Sequence, residues 1–296
     1  MGIFVKRIAA VLSCVCILSA PLAAHAADWE GKQEPFLLYG SSYYVGTQGL
    51  SAVLVTSPAG HILIDGAGPK TPAQIAAGIR QLGFKLEDIK YILTSHEHHD
   101  HAGGIAELQR LSGATVLASP AAKPVIETGV ADKGDPQFGN NPPQMTPVAR
   151  VKAIRDGELV TVGPLAIKAH FTPGHTQGGI SWTWQASENG KTLNMVYADS
   201  LTAIAGPNFR YSGNPLYPQA KADVERSIAL VAALPCDILV AAHPDATGLL
   251  ERHAKYKQTQ KAPGSAVFID RDACRKYAEA GRKRLAETLA KEVVVR

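Results

Sequence analysis

The stretch YILTSHEHHDHAGG, residues 91–104, decides how this chain is read. Its apolar opening, Tyr91-Ile92-Leu93, has the character of the end of a buried strand. It runs directly into His96, His98, Asp100 and His101, after which Ala102-Gly103-Gly104 opens an amphipathic helix. In an extended segment alternate side chains share a face, so His96, His98 and Asp100 are expected on one side and His101 on the other. Such an arrangement suits two metal ions side by side, since imidazole and carboxylate both bind zinc well. Gly103 and Gly104 carry no side chain to obstruct backbone beside the metals. The bland alternative is a solvated histidine-rich loop. Against it stands the density of donors right after a strand, because buried polar groups need partners.

Two metal ions need more donors than this segment holds, so the rest of the chain should supply histidines at strand ends. Leu165 to Phe171 reads as a strand leading into Thr172-Pro173-Gly174-His175-Thr176, where a Pro-Gly turn would hold His175 at the lip of a sheet. Cys236 to Ala242, CDILVAA, reads as another and ends in His243-Pro244. His175 suits a third donor for the first ion, and His243 completes the second. Leu193 to Ala198 ends in Asp199-Ser200-Leu201-Thr202, whose acid and hydroxyls could reach a metal, a metal-bound water or a substrate carboxylate.

Working outward, Pro35–Gly40, Ser42–Thr47, Ser51–Thr56 and His61–Asp65 read as an antiparallel meander. Asp65 either orients a ligand histidine from behind or is a simple turn acid. A helix over Thr71–Leu82 with Pro72 in its first turn, a strand over Lys90–Thr94, a helix over Ala102–Leu111 and a strand over Ala114–Ala118 follow. That alternation argues for an α/β layer beside the meander. Gly129 to Met145, GVADKGDPQFGNNPPQM, has no periodicity. Loops of this length are commonly lids, and here Gln137 and Phe138 would be substrate contacts; an inert surface loop is the alternative. Val151–Ile154, Glu158–Val162 and Leu165–Phe171 are expected as strands of a second meander, continued by Gly179–Gln185 and Leu193–Ala198. Helices over Pro218–Leu234, Leu249–Tyr256 and Asp270–Leu289 complete the pattern.

With 296 residues and 46% apolar composition the chain can bury a sizeable core. Lys6-Arg7, the apolar run Ile8–Ala20 and Ala24-His25-Ala26 form a secretory leader, giving a signal peptide over 1–26 and a single domain over 27–296. Cleavage after Ala26 and a periplasmic location are expected. Without Lys6 and Arg7 the remainder holds 28 basic against 26 acidic residues, too mild a balance for a nucleic-acid binder. No other stretch is long and apolar enough to span a membrane. Outside the leader only Cys236 and Cys274 remain, and in an oxidising compartment a disulfide is the default, a cysteine metal ligand the alternative.

Taken together, TSHEHHDHAGG, FTPGHTQGG, YADSLT, AAHP and the two late cysteines resemble the metallo-β-lactamase superfamily, and within it subclass B3. The resemblance implies an αββα sandwich of two mixed β-sheets flanked by helices. It implies two zinc ions, His96, His98 and His175 holding the first and Asp100, His101 and His243 the second. The implied activity is opening of a β-lactam amide by a metal-bridging hydroxide, which Asp100 orients. Ser200 stands where other subclasses place a cysteine ligand, and Thr202 where a serine often meets the substrate carboxylate. Small-molecule β-lactams (penicillins, cephalosporins, carbapenems) would be the substrates of a monomeric enzyme. His61, His99, His170 and His253 match no ligand position. The rival within the same fold is a thioesterase of the glyoxalase II type or a lactonase, which would bridge its metals with an aspartate near Asp199. Whether Asp199 or Ser200 faces the metals is a one-residue question of register. A non-catalytic zinc-binding protein is the rival from another class.

Overall fold

The computed structural model describes Gly2 and residues 28–140, 142–259 and 264–294. Gly2 aside, the leader expected over residues 1–26 lies outside the described residues. Strands β1 (Phe36–Tyr39), β2 (Ser42–Tyr44), β3 (Val53–Ser57) and β4 (Gly60–Ile64) form the antiparallel meander. Helix α1 (Pro72–Gln81) then carries the chain to β5 (Ile89–Leu93), parallel to β4. Short α2 (His99–Ala102) and α3 (Ile105–Ser112) lead to β6 (Thr115–Ala118). Helix α4 (Ala122–Thr128) and an irregular segment lead to β7 (Val151–Ala153). Strands β5, β6 and β7 pair in parallel, so the first sheet runs in chain order from β1 to β7.

This corrects one expectation. Val151–Ala153 belongs not to a second meander but to the first sheet, where Val151 pairs with Val116. The second sheet is an antiparallel run of β8 (Leu159–Val162), β9 (Leu165–Phe171), β10 (Ile180–Glu188) and β11 (Lys191–Ala198). After α5 (Ala220–Ala233), β12 (Ile238–Ala241) joins β11 in parallel at the sheet's edge. Helices α6 (Leu249–Thr259) and α7 (Ala273–Val294) follow.

Strand alternation sorts the apolar side chains into three layers. Val53, Val55, Ile62 and Ile64 meet Ile167, Trp182, Met195 and Tyr197 between the sheets. On the first sheet's other face Leu54 and Leu63 pack with Ile75 of α1 and Ile105 and Leu108 of α3. Beyond the second sheet Val196 and Leu239 pack with Val224 and Ile228 of α5 and Ala278 of α7. The architecture is thus an αββα sandwich of two mixed sheets. Each fully buried large apolar side chain contributes about 1.5–3 kcal/mol, against ~0–1 kcal/mol for a surface ion pair, so these layers hold the fold.

Parallel pairing places the C-terminal ends of β4, β5, β11 and β12 along one edge, where the sheets are also tied to each other. Ile180 N donates to Ser95 O at 2.6 Å and Trp182 Nε1 to Thr94 O at 3.0 Å. Ser51 donates from its amide to Ala242 O at 2.9 Å and from its hydroxyl to Ala241 O at 2.7 Å. Behind β12, a Cys236–Cys274 disulfide joins the approach to that strand to α7. Among the described residues no helix is long and apolar enough to cross a membrane.

Candidate metal centre

The donor-bearing stretch does not stay extended. The backbone is extended at His98 (φ −70°, ψ 151°) and turns helical at His99, where α2 begins. His101 N and Ala102 N donate back to His98 O at 3.0 and 2.8 Å, and Asp100 lies in the first helical turn, a place that favours a carboxylate. Asp100 and His101 therefore leave a helix rather than alternate along a strand, which corrects the extended reading. Gly104 is required for a different reason than closeness to metal: a Cβ there would run into the carbonyl oxygen of Gly66.

The six donors meet at the shared edge in two adjoining clusters. The rings of His96, His98 and His175 form a triangle with 4.9 Å between each pair of centroids, and one nitrogen from each lies within 4.8 Å of the others. Asp100 Oδ2, His101 Nε2 and His243 Nε2 form a second triangle with edges of 3.2, 3.5 and 3.2 Å. Donor atoms around a tetrahedral zinc stand about 3.3 Å apart, so the second triangle has ion-sized edges. The His96 and His101 rings are 4.3 Å apart, which brings the clusters side by side.

The nitrogens facing away from the clusters are each backed by oxygen. His175 Nδ1 donates to Thr202 O at 2.8 Å, and His243 Nδ1 to Gly49 O at 3.0 Å. His98 Nε2 meets Asp135 Oδ2 at 2.9 Å. His96 Nδ1 hydrogen-bonds Ser95 Oγ at 3.2 Å, with Asp199 Oδ1 2.8 Å away as a charge contact not aligned as a hydrogen bond. His101 Nδ1 is 3.6 Å from Asp65 Oδ2, a charge contact too long for a hydrogen bond. Metal-ligating histidines are oriented in this way, one nitrogen fixed by an oxygen and the other bare. The buried His96 Nε2 has no partner at all, an orphan that a cation would satisfy.

Electrostatics agree with that fit at His96 and His175, whereas at His98 burial is outweighed by the hydrogen bond and charge of Asp135, which raise the ring above its ordinary value. Burial, with the charge of neighbouring histidines, pulls His96 well below the ordinary imidazole value. Burial and the charge of His98 bring His175 down to about 3. Both are neutral imidazoles, the form that binds metal. Burial opposes ionisation of Asp100, but the charge of His101 and hydrogen bonds from His101 and His243 outweigh it and hold the carboxyl well below its usual range. Burial likewise opposes charging of His101, but Asp100 and then Asp65 raise it to about 10. Asp100 and His101 thus form a buried ion pair across 3.2 Å.

Among the other residues singled out from sequence, Asp65 is more than a turn acid. Fully buried in a left-handed conformation (φ 61°), it accepts from Ser95 N and Oγ at 2.6 Å each and from Tyr197 Oη at 2.7 Å. Asp199 is fully buried behind His96 and belongs to neither donor cluster. Ser200 is buried beside it. Thr202 supports His175, its hydroxyl 3.1 Å from Nδ1. Gln137 reaches from the irregular segment to within 3.4 Å of His175 Nε2, and Phe138 next to it is exposed. His61 packs edge-on to Phe84, His170 pairs with Thr183 at 2.8 Å, and His253 stacks on Phe36. His99 lies 3.8 Å from Asp100, and neither cluster includes any of these four.

Three residues at the centre escaped the sequence reading. Asp135 backs His98. Glu97, buried between two donor histidines in sequence, accepts from Thr176 Oγ1 at 2.8 Å and Gly178 N at 3.2 Å. Trp29, 47% exposed, lays its ring 4.8 Å from that of His243. Only Glu97 carried a local signal, an acid inside the donor motif itself.

A family model described as the metallo-β-lactamase superfamily matches residues 45–188. The crystal structure of MEM-A1, a subclass B3 metallo-β-lactamase from a soil metagenome library, is 61% identical, covering 91% of this chain and 100% of its own with a TM-score of 0.87. The metallo-β-lactamase SMB-1, bound to 2-mercaptoethanesulfonate, is 49% identical, covering 90% of this chain and 99% of its own with a TM-score of 0.85. The hydroxyacylglutathione hydrolase of Pseudomonas paraeruginosa is 36% identical over 157 residues, 53% of this chain and 46% of that protein. The match thus spans about half the length of that curated relative. The chain belongs to the metallo-β-lactamase superfamily, in its subclass B3.

Proposed function

We propose that this chain hydrolyses the amide bond of β-lactams as a two-zinc enzyme, acting in the periplasm and conferring resistance to those drugs. The observation that carries the reading is the pair of adjoining donor clusters, in which four of the five imidazoles have an outer nitrogen hydrogen-bonded to oxygen. His96, His98 and His175 would hold one zinc; Asp100, His101 and His243 the other. Bound there, zinc supplies Lewis acidity and lowers the pKa of water to about 7, which provides a nucleophile at neutral pH.

The protein's own groups then orient and exclude. Ser95, Asp135 and the carbonyls of Thr202 and Gly49 hydrogen-bond the outer nitrogens of His96, His98, His175 and His243, with Asp65 and Asp199 as charges beside His101 and His96, so that the donor geometry is set before substrate arrives. Asp100, held ionised, presents one oxygen to His101 and His243 and orients the attacking water. Ser200 and Thr202 would contact the substrate carboxylate only once the Thr202 hydroxyl turns from His175 Nδ1, and Gln137 would close the mouth from the irregular segment. Trp29 offers an exposed apolar face beside His243 to the substrate's ring system.

The thioesterase reading draws on the hydroxyacylglutathione hydrolase relative, whose match is confined to about half of that protein. The position of Asp199 weighs against it, since a metal-bridging aspartate would have to lie in front of His96 rather than behind. Steady-state hydrolysis of one penicillin, one cephalosporin, one carbapenem and one glutathione thioester, with and without chelator, tests the proposal. Chelator-sensitive β-lactam turnover without thioester turnover is expected. A zinc-loaded protein that opens no β-lactam would refute it.

A further inference from the structure

We propose that Asp135 is a positioning residue for the first metal position, so that the irregular segment between α4 and β7 sets the donor geometry of His98 as well as covering the site; this rests on the two-zinc reading above. Asp135 is buried, with Oδ2 2.9 Å from His98 Nε2. No other hydrogen bond to the His98 ring is found among the described residues, whereas His175 has both the carbonyl and the hydroxyl of Thr202.

The carboxylate is itself locked. Its Oδ1 accepts Gln137 N at 2.6 Å, Asp135 N donates to Asp132 O at 3.1 Å, and Phe138 N donates to Asp135 O at 3.0 Å. The same turn is latched to the loop after β11, where Gly206 N donates to Pro136 O at 2.7 Å. Asp135 therefore cannot leave His98 unless the segment moves as a body. By accepting the Nε2 proton it selects the tautomer whose Nδ1 is bare toward His96 and His175. The coupling is reciprocal by linkage: a displaced segment loosens the ion, and a bound ion orders the segment.

The test measures zinc affinity by chelator competition, and the visible spectrum after cobalt(II) loading, for wild type, Asp135→Ala, Asp135→Asn and Lys133→Ala. Lys133 is an exposed residue of the same segment. Asp135→Ala should hold one of its two ions about 10–100-fold more weakly and shift the cobalt spectrum. Asp135→Asn, whose amide oxygen still accepts the proton without charge, should fall between it and wild type. Lys133→Ala should change neither readout. Wild-type affinity and spectrum in Asp135→Ala, or an equal loss in Lys133→Ala, would overturn the proposal alone. A wild-type protein that takes up no metal would overturn it together with the two-zinc reading.

Discussion

Glu97 straps the two halves of the centre together. It follows β5 between His96 and His98, yet its carboxylate accepts Thr176 Oγ1 at 2.8 Å and Gly178 N at 3.2 Å from the turn that carries His175. Glu97→Ala would leave the buried Thr176 hydroxyl without its acceptor, while Gly178 N keeps Thr176 Oγ1 at 3.2 Å, so a loss of about 1–3 kcal/mol is expected. Glu97→Gln should behave quite differently. Its amide oxygen still accepts from Gly178, and the Thr176 hydroxyl can turn to accept from the new amide. Burial also raises the Glu97 carboxyl above its ordinary 4.5. A raised acid contributes stability that is complete below about 4.5 and is lost as pH rises through the folded-state value. Glutamine carries no such loss, so at neutral pH the Gln variant should match or exceed wild type and depend less on pH. Urea unfolding of the chelated protein, followed by fluorescence of the buried Trp182 and Trp184, measures this. An Ala variant within about 1 kcal/mol of wild type, or a Gln variant as damaged as Ala, would refute the strap.

The other expectations concern the centre and its frame. His98→Ala should lower zinc content and hydrolysis together, read by metal analysis beside turnover; full activity with one bound ion missing would contradict the assignment. Because Asp100 and Asp65 raise His101 to about 10, an ion binding there must expel its proton. Zinc affinity at that position should therefore rise about tenfold per pH unit between about pH 6 and 8, read by chelator competition. Cys274→Ser opens a link across 38 residues and should destabilise the fold by about 4 kcal/mol, read by denaturant titration with and without reductant. Trp29→Ala should raise KM several-fold for bulky β-lactams while leaving zinc content unchanged.

Much of this was legible because strands and their exits leave local marks. Runs such as ILVAA, residues 238–242, are apolar on both faces, as a strand covered on both sides must be, and a histidine directly after such a run can only lie at the sheet's edge. The same marks led to errors where partners are chosen across space. Three residues at Val151–Ala153 form a strand, but nothing in them tells which sheet they join; the β6 edge decides it. Alternation, the simplest continuation of a strand, predicts an extended Asp100, whereas the amides of His101 and Ala102 close a helical turn on His98. Asp135 lies 37 residues from the imidazole it holds and sits in a segment without periodicity, so its role is visible only in three dimensions.

The last donor, His243, hangs from β12, which pairs with β11 alone and forms the outer margin of its sheet. The disulfide pins only the start of that strand, and Ser51 clasps its end. Margins of a sheet open locally at lower free energy than its middle. The two cation positions should therefore differ in lability. The ion held by His96, His98 and His175 would exchange slowly, and its neighbour would come and go with the breathing of a single four-residue ribbon.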